Sequence, residues 1–170
     1  LYVRPEILAK MPPYQGGGDM IDEVHLPTGT TFAPAPARFE AGTPHITGAV
    51  GLAAAITWLQ ECGTWAERQQ HETQLAHTAR EGLAEMGATL YGPADSAIVS
   101  FNLPQCQASD VATILDQCHV AVRSGHHCAM PLMARLGVSG TVRASFGVYN
   151  TQDDVEKFLA AVAKAWKMLG

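Results

Sequence analysis

The string Val122-Arg123-Ser124-Gly125-His126-His127-Cys128-Ala129-Met130-Pro131-Leu132 sets a thiol beside two imidazoles and near a guanidinium. Thiolate is the reactive form of cysteine, and a neighbouring imidazolium or guanidinium favours it, so Arg123, His126 and His127 point to Cys128 as a nucleophile. Two other readings stand beside this one. Cys128 could be an inert, half-buried cysteine, or His126, His127, Cys128, Cys118 and His119 could supply metal ligands. Adjacent ligands rarely close one tetrahedral site, and no C-x₂₋₄-C spacing is present, so no metal is assigned.

Two further positions carry chemistry. Arg143 alternates with Val142, Ala144 and Phe146, so a strand pleat aims it away from the apolar core, either into a pocket or into solvent. A guanidinium grips a carboxylate through two parallel hydrogen bonds. Gly42-Thr43-Pro44 precedes an apolar helical stretch, and the first turn of a helix offers free N–H groups to an anion. Thr43 could touch a phosphate there or cap the helix. The triplet Gly16-Gly17-Gly18 is not followed by Lys-Ser/Thr, which excludes a nucleotide P-loop and leaves a flexible hairpin as its reading.

The elements that must position these residues follow from periodicity. Residues 1–45 are rich in proline and glycine and read as loops and hairpins. Residues 48–59 are apolar on nearly every side, as in a helix packed closely all round. From Trp65 to Met86 the positions Leu75, Ala79, Leu83 and Met86 recur at helical spacing. Ala97, Val99, Phe101 and Leu103 alternate as in a strand, and Ser109 is placed to cap a helix burying Val111, Ile114, Leu115 and Cys118. A short strand is expected over His119–Arg123, a loop over 124–140 and a strand over Thr141–Tyr149. Thr151 and Asp154 form a capping-box-like start for a last helix with Val155, Phe158, Leu159, Val162, Trp166 and Leu169 inward. Strands and helices in this order from residue 65 onward predict a compact α+β domain.

Composition narrows the class. The 170 residues match about one ordinary domain, yet only 16% are charged against about 25% in a typical soluble domain, so part of the surface is expected to be covered. A net charge of -5 with no basic run argues against nucleic acid as a partner. No apolar run reaches the roughly 18 residues of a membrane span, so a soluble protein is expected. Four scattered cysteines favour reduced thiols in a cytoplasmic protein. The first residues, Leu1-Tyr2-Val3-Arg4-Pro5, read as the interior of a longer polypeptide.

Three strings together resemble one family: Arg38-Phe39-Glu40-Ala41-Gly42-Thr43-Pro44, Arg123 through Leu132, and Arg143-Ala144-Ser145-Phe146 followed by Tyr149-Asn150-Thr151. In order and spacing they are similar to the Suf-type cysteine desulfurases and selenocysteine lyases of the class V aminotransferase group. The resemblance implies a pyridoxal-phosphate-dependent transferase of fold type I, an α/β fold. It divides the chain into the C-terminal end of the large cofactor-binding domain over residues 1–60 and a small α+β domain over 61–170. It implies that Cys128 takes sulfur from L-cysteine as a persulfide, leaving L-alanine, and hands it to an acceptor protein for iron–sulfur cluster assembly. Arg143 then binds the substrate carboxylate, Arg123 edges the loop containing His126 and His127, and Thr43 reaches the cofactor phosphate of the neighbouring subunit of a homodimer. Gln15 to Met20 matches a hairpin near the dimer interface. The Schiff-base lysine of the family lies upstream of Leu1, so the chain alone is expected to be inactive. Selenocysteine lyase and a non-catalytic sulfur-relay fragment are the alternative functions.

Overall fold

The computed structural model describes residues 2–170. Residues 1–59 and 60–170 form two compact units, the division falling in the last turn of one helix. In the first unit a four-residue helix α1 (Pro5–Leu8) is followed by an antiparallel hairpin of β1 (Ile21–His25) and β2 (Gly29–Phe32). The turn of this hairpin lies at residues 26–28, so the glycine triplet is not the hairpin tip that the sequence suggested. The triplet instead leads into the hairpin and is tied down, with the Gly42 N–H donating to the Gly18 carbonyl at 2.9 Å. A Cβ on Gly17 would meet that of Ala41 at 3.3 Å, so the two segments touch.

Helix α2 (Ile46–Glu61) forms where the small apolar run predicted a helix, but it buries none of its residues. The expectation of packing all round is not met within this chain: Ile46, Val50, Leu52, Ile56 and Trp58 all stand exposed. Sequence shows which faces are apolar and says nothing about which atoms cover them.

The second unit begins with α3 (Trp65–Glu85), whose capping box sets the Thr64 hydroxyl against the Glu67 N–H and the Glu67 carboxylate against the Thr64 N–H at 2.7 Å. Strands β3 (Thr89–Tyr91) and β4 (Ile98–Asn102) follow, then α4 (Ala108–Gln117), β5 (Arg123–Gly125), α5 (Met130–Leu136), β6 (Thr141–Ser145) and α6 (Gln152–Leu169). The four strands form one antiparallel sheet in the order β3-β4-β6-β5. One face carries Leu90, Val99, Phe101, Val142 and Ala144 against Leu83 of α3, Leu115 of α4 and Phe158 and Val162 of α6. Phe158 is the pivot of this layer, edge-on to Phe101 at 5.8 Å and to Phe146 at 6.3 Å.

Several boundaries differ from the sequence reading. Ser109 does not cap α4: Gln107 is the N-cap, and Ser109 sits inside the first turn, where its hydroxyl lies against Asp110. The strand expected at His119–Arg123 begins only at Arg123, because His119 adopts a left-handed backbone (φ 59°) that ends α4 and breaks extended structure. The strand predicted to run to Tyr149 stops at Ser145, where Gly147 and Asn150 turn the chain toward α6. The stretch expected to be loop holds α5, opened by Pro131 in its first turn and closed by left-handed Gly137. The capping box of Thr151 and Asp154 is present as predicted.

Candidate active site

The sheet face turned away from α3, α4 and α6 carries a row across all four strands. Tyr91 pairs with Ser100, Ser100 with Arg143 and Arg143 with Arg123. Residues directly opposite on antiparallel strands share a face, so β6 and β5 place two guanidinium groups side by side. Like charges in this position oppose each other, and no carboxylate pairs with either arginine among the described residues. Their juxtaposition is an electrostatic cost that an anionic ligand relieves.

Over this row lies a cleft of about 480 Å³, floored by Tyr91, Ser100, Thr141 and Arg143 and walled by His127, Ala129, Leu132, Met133 and Leu136. Helix α5 builds the wall by burying Met133 while leaving Leu132 and Leu136 open. The Arg143 Nε atom is buried and has no partner. A larger hollow of about 630 Å³ lies elsewhere, along Cys118, His119, Phe146 and Phe158, and contains none of Cys128, Arg123, Arg143, His126 and His127.

Cys128 sits between two residues that line the cleft, on a tightly held turn. His127 (φ 54°) and Cys128 (φ 59°) are consecutive left-handed residues, a conformation that costs a side chain bearing a Cβ about 1–3 kcal/mol each. Local hydrogen bonds offset it. The Cys128 N–H donates to Nδ1 of His126 at 3.0 Å, and the Ala129 N–H donates to the His126 carbonyl at 2.8 Å. Nε2 of His127 lies 3.0 Å from the Thr141 carbonyl oxygen and 2.9 Å from its hydroxyl. A carbonyl only accepts, so Nε2 carries the proton and Nδ1 the lone pair, which is buried without a partner. The Gly140 approach explains why the strand can start there: a Cβ on Gly140 would lie 2.8 Å from the Gly125 backbone.

These contacts revise the electrostatics expected from sequence. His126 accepts a hydrogen bond through Nδ1, and burial holds the His127 imidazole below the ordinary histidine range. The bond to the Thr141 carbonyl pulls His127 the other way, while the charges of Arg143, Arg123 and His126 add to the depression. His127 thus turns its Nε2–H toward Thr141 rather than toward the thiol. The cation at the sulfur is Arg123, whose Nη2 lies 3.6 Å from Cys128 Sγ. Cys128 itself is exposed, and all four cysteines are free thiols.

Among the described residues no group of three or more His, Cys, Asp or Glu side chains is arranged to hold a metal ion. In the first unit Thr43 stands exposed just before α2. The Ile46 N–H is taken by the Pro44 carbonyl and that of Ala49 by His45, whereas the Thr47 and Gly48 N–H groups of the first turn meet no backbone acceptor among the described residues. That donor set, a hydroxyl with helix-start amides, suits a phosphate. No lysine lines the cleft of the second unit: Lys157 pairs with Asp153, and Lys164 lies 3.6 Å from Cys118 Sγ. The buried Arg80 was missed by the sequence reading; it ties α3 to the strand connection through the Pro93 and Ile98 carbonyls.

A fold and a site of this kind define a class. The sequence profile of the class-V aminotransferases matches residues 1–158, and the chain belongs to that family. Its relatives include the cysteine desulfurase of Yersinia pestis (strain Pestoides F), 48% identical over the whole of this chain. The fold superimposes on the cysteine desulfurase CsdA of Escherichia coli with a TM-score of 0.93 at 39% identity, covering 99% of this chain. It superimposes on the apo cysteine desulfurase of Thermococcus onnurineus NA1 with a TM-score of 0.91 at 44% identity, again covering 99%. In each comparison the chain spans 42% of the relative's length. No helix among the described residues is long and apolar enough to cross a membrane.

Proposed function

We propose that this chain is the C-terminal part of a pyridoxal-phosphate-dependent cysteine desulfurase. Residues 1–60 are the end of the large cofactor-binding domain and 61–170 the small domain. The observation that carries the proposal is the exposed Cys128 on its left-handed turn, with the Arg123 guanidinium against its sulfur and the paired Arg143 flooring the adjoining cleft.

Each side chain has a defined task. Arg143 grips the carboxylate of L-cysteine through the Nε edge that has no protein partner. Tyr91 and Ser100 flank it in the same row, and Leu132, Met133 and Leu136 keep the cleft wall apolar. A bound cofactor would supply the electron sink that labilises bonds at the substrate's α- and β-carbons, and Thr43 with the start of α2 would hold its phosphate in the neighbouring subunit of a homodimer. The Cys128 thiolate attacks the substrate sulfur, forming an S–S bond as the substrate C–S bond breaks. The electron pair of that bond stays on carbon and takes up a proton, so cysteine plus the Cys128 thiol give alanine plus a Cys128 persulfide without an external oxidant. Arg123 offers a fixed positive charge to the sulfur throughout. The persulfide then passes to an acceptor protein for iron–sulfur cluster assembly, a cytoplasmic role that four free thiols suit.

The experiment is direct. The complete polypeptide supplied with pyridoxal phosphate and L-cysteine should release alanine with the added sulfur on the Cys128 peptide, and Cys128→Ala should lose both persulfide and turnover. A ratio of turnover favouring selenocysteine over cysteine would replace the reading with a selenocysteine lyase. Persulfide acceptance from a small donor without any turnover would replace it with a sulfur relay.

A further inference from the structure

Charge is segregated across the small-domain sheet. From Gln117 to Gln152 the sequence holds no Asp, Glu or Lys, yet carries Arg123, Arg135 and Arg143, in a chain whose net charge is -5. The flanking acids Asp116 and Asp153 belong to the ends of α4 and α6, in the helical layer on the opposite sheet face. Asp95, in the β3–β4 connection, lines a separate depression with Gln69 and His77. None of the three arginines forms an ion pair among the described residues. Arg123 and Arg135 are exposed, and Met130 and Leu132, which follow Cys128 into α5, present apolar surface. An exposed thiol with the unpaired Arg123 guanidinium 3.6 Å from its sulfur and a second exposed, unpaired cation, Arg135, on the helix that follows it attracts negative partners and repels positive ones in an acidic protein.

We propose that this face docks an acidic protein segment bearing the acceptor cysteine, with Arg123 and Arg135 reading its carboxylates and Met130 and Leu132 covering its apolar flank. The inference rests on the persulfide reading above and specifies the partner. In the transfer, the acceptor thiolate bonds to the outer sulfur of the Cys128 persulfide, and the S–S bond to Cys128 breaks. The electron pair returns to Cys128 Sγ, where Arg123 meets it, and the proton stays on the transferred sulfur. Oxidation states balance within the exchange.

The test uses this chain and two cysteine peptides activated as thiopyridyl disulfides, one rich in aspartate and one rich in lysine. The rate of mixed-disulfide formation at Cys128 is read by mass spectrometry. At about 20 mM salt the acidic peptide should react at least about tenfold faster than the basic one, and the gap should close at about 500 mM as screening shortens the reach of the two cations. Arg123→Gln and Arg135→Gln should each narrow it. Equal rates, or a faster basic peptide, would overturn the proposal. So would a preference that ignores Arg123→Gln and Arg135→Gln and disappears only with Arg143→Gln, since that places it in the carboxylate cleft. Disulfide exchange needs no persulfide, so a charge preference in a protein whose complete form never desulfurates cysteine would refute the desulfurase reading and leave the acidic-partner surface standing.

Discussion

Replacing Thr141 by Val keeps the shape of a buried side chain and deletes the hydroxyl 2.9 Å from His127 Nε2. The turn at His127 and Cys128 is finely balanced. Two left-handed residues cost roughly 2–6 kcal/mol together. The contacts from Cys128 N–H, Ala129 N–H and the two Thr141 acceptors return about 0.5–1.5 kcal/mol each, a sum of similar size. Losing one acceptor should cost about 1 kcal/mol, which is roughly a fivefold rise in the population of the opened turn. Amide hydrogen exchange by NMR reads this at Cys128 and Ala129, with the buried Phe101 amide as the control for global unfolding. Thr141→Val should speed exchange at the two turn amides about fivefold and leave Phe101 nearly unchanged, while Thr141→Ser, which keeps the hydroxyl, should resemble the parent. Turn exchange in Thr141→Val within twofold of the parent, or an equal effect from Thr141→Ser, would refute the reasoning.

The depressed His127 makes the same turn sensitive to acid. Its neutral form is the one the fold favours, so its contribution is fully present above the unfolded value of about 6.5 and is lost as pH falls toward the lower folded value. Exchange at Ala129, corrected for intrinsic rates, should rise over that window, and His127→Gln should abolish the dependence. Asp154 works lower on the scale: the Thr151 N–H and the Asn150 amide depress it, so the stability it lends α6 is present above about 3.8 and lost on further acidification, a transition that Asp154→Asn should erase in thermal melts. Gly140→Ala forces a Cβ into the Gly125 backbone and should cost about 1–3 kcal/mol, lowering Tm, whereas Gly82→Ala meets only the Leu159 side-chain end and should cost less. The exposed face of α2 should make the isolated chain bind a hydrophobic dye, with Val50→Lys and Ile56→Lys together cutting that signal.

What the sequence made legible follows burial. Val99, Phe101 and Leu103, and later Val142 and Ala144, alternate because one sheet face is covered by helices, and that alternation is read directly from residue types. Helix α6 was legible from both its stripe and its capping box. Helix α5 escaped because seven residues are too few for periodicity, though Pro131 and Gly137 were the available signals. The β5 start slipped because nothing in the identity of His119 announces a positive φ. At the site, the residue types named Cys128, Arg123 and Arg143, but the role of the histidines depends on which atoms face them. His127 points Nε2 at Thr141, a residue fourteen positions on, and only the β6 register brings the two together. The same register sets Arg123 opposite Arg143, a pairing no local spacing encodes.

The most direct measurement is the location of sulfur after turnover. The complete polypeptide, incubated with L-cysteine and pyridoxal phosphate and then alkylated, should carry one additional sulfur atom on the peptide containing Cys128, in amounts that track the first equivalent of alanine released. Persulfide found on Cys62, Cys106 or Cys118 instead, or alanine released at the parental rate by Cys128→Ala, would contradict the assignment of Cys128 as the sulfur-accepting nucleophile.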